Sequence, residues 1–75
     1  MIEFLMMVAG VEICERRAYR SRHTHWVTPD LSISIHNSMN RDGSLTVFVN
    51  DKVLPRSYKT LNGAVRAAIK AKEQP

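Results

Sequence analysis

Leu31-Ser32-Ile33-Ser34-Ile35-His36 and Leu45-Thr46-Val47-Phe48-Val49-Asn50 decide the fold. In each run, residues that want a core alternate with their neighbours at period two, which is the signature of a strand with two unlike faces. Leu31, Ile33 and Ile35 share one face, and Ser32, Ser34 and His36 the other. Leu45, Val47 and Val49 likewise oppose Thr46, Phe48 and Asn50. Asn40-Arg41-Asp42-Gly43 between the runs is turn chemistry, with Gly43 free to take positive φ. Val49-Asn50-Asp51-Lys52-Val53 reads as a second tight hairpin, and Pro55 ends its return strand or holds it at an edge. Upstream, Thr24 to Val27 adds a strand closed by Pro29-Asp30.

Residues 60–73 read as a helix with Thr60 as N-cap. Leu61, Val65, Ala68, Ile69 and Lys72 share one face, and Lys59, Asn62, Arg66, Lys70 and Glu73 another. The first face must cover the sheet, because nothing else in the chain can bury Leu31, Ile33, Ile35, Leu45, Val47 and Val49. The fold class is therefore α+β: a three- to four-stranded antiparallel β-meander with a C-terminal helix packed on one face. Residues 2–20 are either helical or an added strand. Ile2, Leu5, Met6, Ala9 and Ile13 recur at helical spacing, and Glu12 and Arg16 form a well-oriented i,i+4 pair, so the helix is favoured. Gly10 opposes it by about 1 kcal/mol.

A chain of 75 residues is a single small domain, residues 1–75. Its size excludes a Rossmann fold, a TIM-type barrel or a channel. Hydrophobic residues at 44% and charged ones at 24% set it apart from disordered chains. The apolar run Ile2 to Val11 lacks a preceding Lys or Arg and contains Glu3, unlike a signal peptide, and it is too short to span a bilayer. Met6 and Met7 are alternative starts. The single cysteine, Cys14, forms no internal disulfide. Cytoplasmic residence, with no membrane contact, is the expectation.

The net charge of +4 permits a polyanionic or acidic partner. The richest stretch is Arg16-Arg17-Ala18-Tyr19-Arg20-Ser21-Arg22-His23-Thr24-His25-Trp26. Arginine forks suit phosphate, and flat rings offer bases a stacking surface. The candidate binding residues are Arg16, Arg17, Tyr19, Arg20, Arg22, His25 and Trp26 here, with Phe48 on the otherwise polar sheet face. Lys59, Arg66 and Lys70 add a basic stripe on the last helix. A solvated basic linker with Tyr19 and Trp26 in the core would produce the same letters.

Catalysis finds little support. Cys14 is the sole candidate nucleophile, and Glu12 and Glu15 beside it oppose a lowered thiol pKa. Gly10, Gly43 and Gly63 stand alone rather than in a phosphate-cradling loop. His23 and His25 share a strand face, but the paired Cys/His spacing of a metal site is missing. No catalytic residue, metal or cofactor is assigned.

The order helix, strands, helix is similar to double-stranded-RNA-binding domains, and the meander plus helix to three-stranded-sheet DNA-binding domains. The first family opens its last helix with Lys-Lys-x-Ala-Lys, where this chain has Thr60-Leu61-Asn62-Gly63-Ala64. The second leaves no diagnostic motif here, so both similarities are of topology alone. The sequence reads as a non-enzymatic basic binding module that takes nucleic acid through an Arg/aromatic surface. The alternative is a small protein-binding inhibitor or adaptor, such as a phage or mobile-element accessory protein blocking a host defence protein, which docks on an acidic protein surface. A homodimer is also open, through the apolar N-terminal run or the sheet face.

Overall fold

The computed structural model describes residues 2–20 and 22–74. The elements are β1 (Ile2–Val8), β2 (Val11–Arg17), β3 (Thr24–Val27), β4 (Ile33–His36), β5 (Leu45–Val49), β6 (Lys52–Tyr58) and α1 (Leu61–Glu73). All six strands form one antiparallel sheet in sequence order, β1-β2-β3-β4-β5-β6. The meander expected from residue 23 onward is present, extended by two strands.

Those two strands correct the helical reading of residues 2–20. Val8 pairs with Val11, and Ala9 and Gly10 between them have φ of 51° and 80°. Positive φ at both central residues is the two-residue turn whose twist matches a hairpin. Gly10 is thus the turn residue, and the flanking valines are strand formers. The helical spacing of Ile2, Leu5, Met6, Ala9 and Ile13 was coincidental, because a nearly all-apolar run fits either period. Asn50 and Asp51 repeat the same turn between β5 and β6, with φ of 50° and 67°.

Register sorts the side chains onto two faces. Ile13, Trp26, Ile33, Ile35, Leu45, Val47 and Val49 meet Ala64, Val65 and Ala68 of α1 in the core. Alanine at 64 and 68 lets the helix lie close to β5, and Val65 fills the contact with full burial. The helix also touches β6 and, across the sheet, β1, so Met6 and Val8 pack against the same core. Thr60 caps α1 by accepting a hydrogen bond from Gly63 N at 3.1 Å. A Cβ at Gly63 would approach Thr60 Oγ1 at 3.0 Å, so the glycine leaves room for the cap.

Leu31 is a second correction. It has φ of 64° and is 67% exposed, in the loop before β4 rather than in the core. Asp30 organises that loop. Its Oδ1 accepts from Thr28 Oγ1 at 2.7 Å, Ser32 N at 3.0 Å and Ser32 Oγ at 2.7 Å. Its Oδ2 lies 3.1 Å from Lys72 Nζ, and the Ser32 hydrogen bonds hold the carboxyl far below its ordinary range. Lys72, placed on the buried helix face by periodicity, ties the helix end to the β3–β4 loop. Pro55 lies in the edge strand β6, where the β5–β6 register is irregular between Thr46 and Phe48. An edge irregularity is where a residue without an N–H fits.

The hairpin and the helix make opposite predictions for Gly10→Ala. In a helix the substitution would stabilise by about 1 kcal/mol. At a φ of 80° it should destabilise by about 1 kcal/mol, read as a lower urea midpoint with unchanged m-value.

Candidate functional site

The helix covers one face of the sheet, and the other face is open. Strand pairing lays two rows across it. One row runs Glu3, Arg16, His25, His36, Thr46, Ser57, one residue from each strand. The next runs Leu5, Cys14, Val27, Ser34, Phe48, Val53. The first is polar and ionisable, and the second is largely apolar.

The middle of the first row is an imidazole stack. His25 and His36 are parallel, with ring centroids 4.2 Å apart and planes at 10°. His23 meets His36 edge-on at 5.8 Å, and Phe48 meets it edge-on at 5.7 Å and 90°. Ser34 Oγ lies 2.8 Å from His25 Nε2 and 3.0 Å from His36 Nε2. A hydroxyl accepts from one Nε2–H and donates its proton to a bare Nε2, which is what two neutral rings allow. Burial lowers the pKa of His25, with His36, Arg16 and His23 adding repulsion. Burial lowers that of His36 as well, with repulsion from His23.

Cations gather at the end of the sheet nearest this row. Arg16 is half-buried on the open face, its Nε 3.4 Å from Glu3 Oε1. The β2–β3 loop carries Tyr19, Arg20 and Arg22, all exposed. Asn37 fastens this loop to the β4 end: Thr24 N donates to its Oδ1 at 2.8 Å, and its Nδ2 donates to Arg22 O at 2.8 Å. The loop and the β4–β5 connection bound a cleft of about 550 Å³ lined by Arg22, His23, Asn37, Ser38, Asn40, Arg41 and Gly43. Two guanidinium groups and an imidazole beside side-chain amides can receive an anionic oxygen-rich group.

The remaining expected residues lie elsewhere. Trp26 is 9% exposed, on the helix side, and its Nε1 donates to Glu15 Oε1 at 2.8 Å. It is core, not a stacking surface, as a lone tryptophan beside an inward carboxylate must be. Arg17 shares that face: its Nε donates to Glu15 Oε2 at 3.0 Å, and its guanidinium stands 5.7 Å from the Phe4 ring centroid. Glu15 is 7% exposed, so the arginine neutralises a buried charge. Lys59 lies in the β6–α1 connection, while Arg66 and Lys70 are on α1, across the sheet from the imidazole row. Lys70 instead flanks a groove with Arg56, between α1 and β6. The basic residues of the chain are divided between two sides of the sheet.

His23 and His36 lie in the candidate site but were not assigned to the binding surface. The period-two pattern put His36 on the correct face, yet only the β3–β4 register, with His25 opposite His36, reveals the stack.

No protein-family model, curated protein or solved structure matches the chain. The geometry is therefore the whole basis for function. Among the described residues, no group of three or more His, Cys, Asp and Glu side chains is placed to hold a metal ion, and no helix is long and apolar enough to cross a membrane.

The stacked imidazoles couple stability to pH. Both folded-state values lie below 6.5, so the unfolded chain binds more protons in that window. Their contribution to stability is complete above pH 6.5 and lost as pH falls through the lowered values. The urea midpoint should fall on acidification below pH 6.5, and a His25→Gln/His36→Gln variant should flatten that slope.

Proposed function

We propose that this chain is a non-enzymatic binding module whose open sheet face and adjoining cleft take single-stranded nucleic acid. The observation that carries the reading is continuity: ring side chains His25, His36 and Phe48 lead along one face to a cleft walled by Arg22 and Arg41. Rings on a flat sheet accept unpaired bases, and arginines at the margin hold the phosphates between them. Single strands are favoured over duplex because rings on the face can stack only on bases that are unpaired and splayed out. Arg16, Arg20, Arg22 and Tyr19 contribute from the sequence-expected set, whereas Trp26 and Arg17 support the fold beneath.

A protein partner is the second reading, favoured by the apolar row, in which Leu5 is 72% and Val53 56% exposed. On that reading the module inhibits or adapts an acidic protein through the same face, with Phe48 as an anchor.

Fluorescence anisotropy with labelled single-stranded and duplex DNA and RNA separates the two. Single strands should bind with a salt slope of about −0.7 per neutralised phosphate. Phe48→Ala should cost about 1–3 kcal/mol of binding. Arg16→Glu with Arg22→Glu should abolish it, while Arg66→Glu with Lys70→Glu, on the far side, should leave it nearly unchanged. Absence of binding at low salt rejects the nucleic-acid reading.

A further inference from the structure

The two edges of the sheet are built differently. The β6 edge carries Lys52, Pro55 and Arg56 and an irregular register, the devices that discourage a further strand. The β1 edge, Ile2–Val8, is seven residues long, has no proline, and carries one charge, Glu3, which faces Arg16 of its own sheet. Ile2, Phe4, Leu5 and Met7 supply half of the eight large hydrophobic side chains exposed among the described residues. An unprotected apolar edge is a template for pairing. We propose that β1 pairs antiparallel with β1 of a second copy about a two-fold axis, joining two sheets into one of twelve strands.

The hairpin fixes the register. A two-residue turn makes Val8 and Val11 a mutually hydrogen-bonded pair, and the pattern alternates outward from there. Ile2, Phe4, Met6 and Val8 therefore bond inward to β2, while Glu3, Leu5 and Met7 direct their N–H and C=O groups away from the sheet. The register that uses all three sets Leu5 opposite Leu5 of the second copy and Glu3 opposite Met7. It forms six backbone hydrogen bonds and keeps the two Glu3 carboxylates apart. A one-residue slip would put inward-bonded residues opposite outward ones, and a two-residue slip loses two bonds.

The chain exposes 5398 Å², more than the roughly 4,700 Å² of a compact monomer of this mass, and Ile2, Phe4, Leu5 and Met7 of β1 supply part of that exposed apolar surface. The axis is perpendicular to the sheet, so both open faces point the same way and both helices lie behind. The apolar rows meet end to end at Leu5, and both imidazole rows and clefts stay uncovered. This pairing is independent of what the open face binds.

Sedimentation equilibrium of the full chain over a wide concentration range tests it. The wild type should dimerise, and Leu5→Lys, which places like charges at the axis, should weaken the dimer at least tenfold with unchanged far-UV circular dichroism. Cross-linking checks the register. Leu5 pairs with Cys14 in its own sheet, so the scan uses a Cys14→Ser background. Leu5→Cys should form an intermolecular disulfide, since opposed residues of such a pair are about 5.5 Å apart between Cα atoms, within disulfide reach. Val53→Cys on the β6 edge should stay uncross-linked. A monomer at every concentration, a dimer indifferent to Leu5→Lys, or cross-linking through Val53→Cys rather than Leu5→Cys would overturn the proposal; capture of a foreign strand by a monomeric chain would do the same.

Discussion

One helix has to cover six strands, and that constraint organises the molecule. The helix Leu61–Glu73 is about 20 Å long, and six strands span about 24 Å. A single such element can dry one face of the sheet and no more. Ala64, Val65 and Ala68 therefore sit against the strands as closely as small side chains allow, and Ile13, Ile35 and Val47 are fully buried beneath. The opposite face has no cover of its own. Except for Val27, which is buried among its neighbours, the side chains of that face live with water or with a partner, and they divide accordingly: an ionisable row beside an apolar one.

The parts of the fold legible in the sequence were those where local chemistry admits one reading. Gly43 and the Asn50-Asp51 pair punctuate an alternating pattern, so strands β4 and β5 and their faces follow directly, whereas β6 was legible only as the return strand of a hairpin, held at an edge by Pro55. Thr60 followed by an apolar stripe gave the helix and its cap. Residues 2–17 admitted two readings for a physical reason. The run from Ile2 to Val8 is apolar on both faces and fits either period, while the alternation of Val11 and Ile13 with Glu12 and Cys14 fits a strand and Gly10 only weakens the helix. Leu31 failed differently: it extends an alternating run, but Asp30 bends the chain first, by collecting hydrogen bonds from Thr28 and Ser32.

The candidate site was half legible for a related reason. Composition located the cations and rings but not their sides. Arg16 and Arg17 are neighbours in sequence and opposites in role. Strand alternation sends Arg16 to the open face beside Glu3 and Arg17 to the helix side, where it neutralises Glu15. Trp26 goes with Arg17, since its register partners are Glu15 and Ile35. A basic segment read as a list overstates the binding surface about twofold when the segment is a strand, because alternation spends every second residue on the interior.

The imidazole row then acquires a role that neither stability nor charge alone supplies. Neutral, His25 and His36 share the Ser34 hydroxyl and stack closely; charged, they repel each other and Arg16 in a partly desolvated place. Protonation thus loosens the face at the same point where it would attract an anion. On the nucleic-acid reading, a bound phosphate would offset that repulsion and raise both pKa values, and by linkage each proton taken up would strengthen phosphate binding in the same proportion. On the nucleic-acid reading, the strain of the charged stack becomes part of the affinity, available only when a polyanion lies across the row. Replacing the stack with permanent cations such as lysine would hold charge on the face at all times and lose that coupling, since a lysine there has no neutral, hydrogen-bonded resting state near neutral pH.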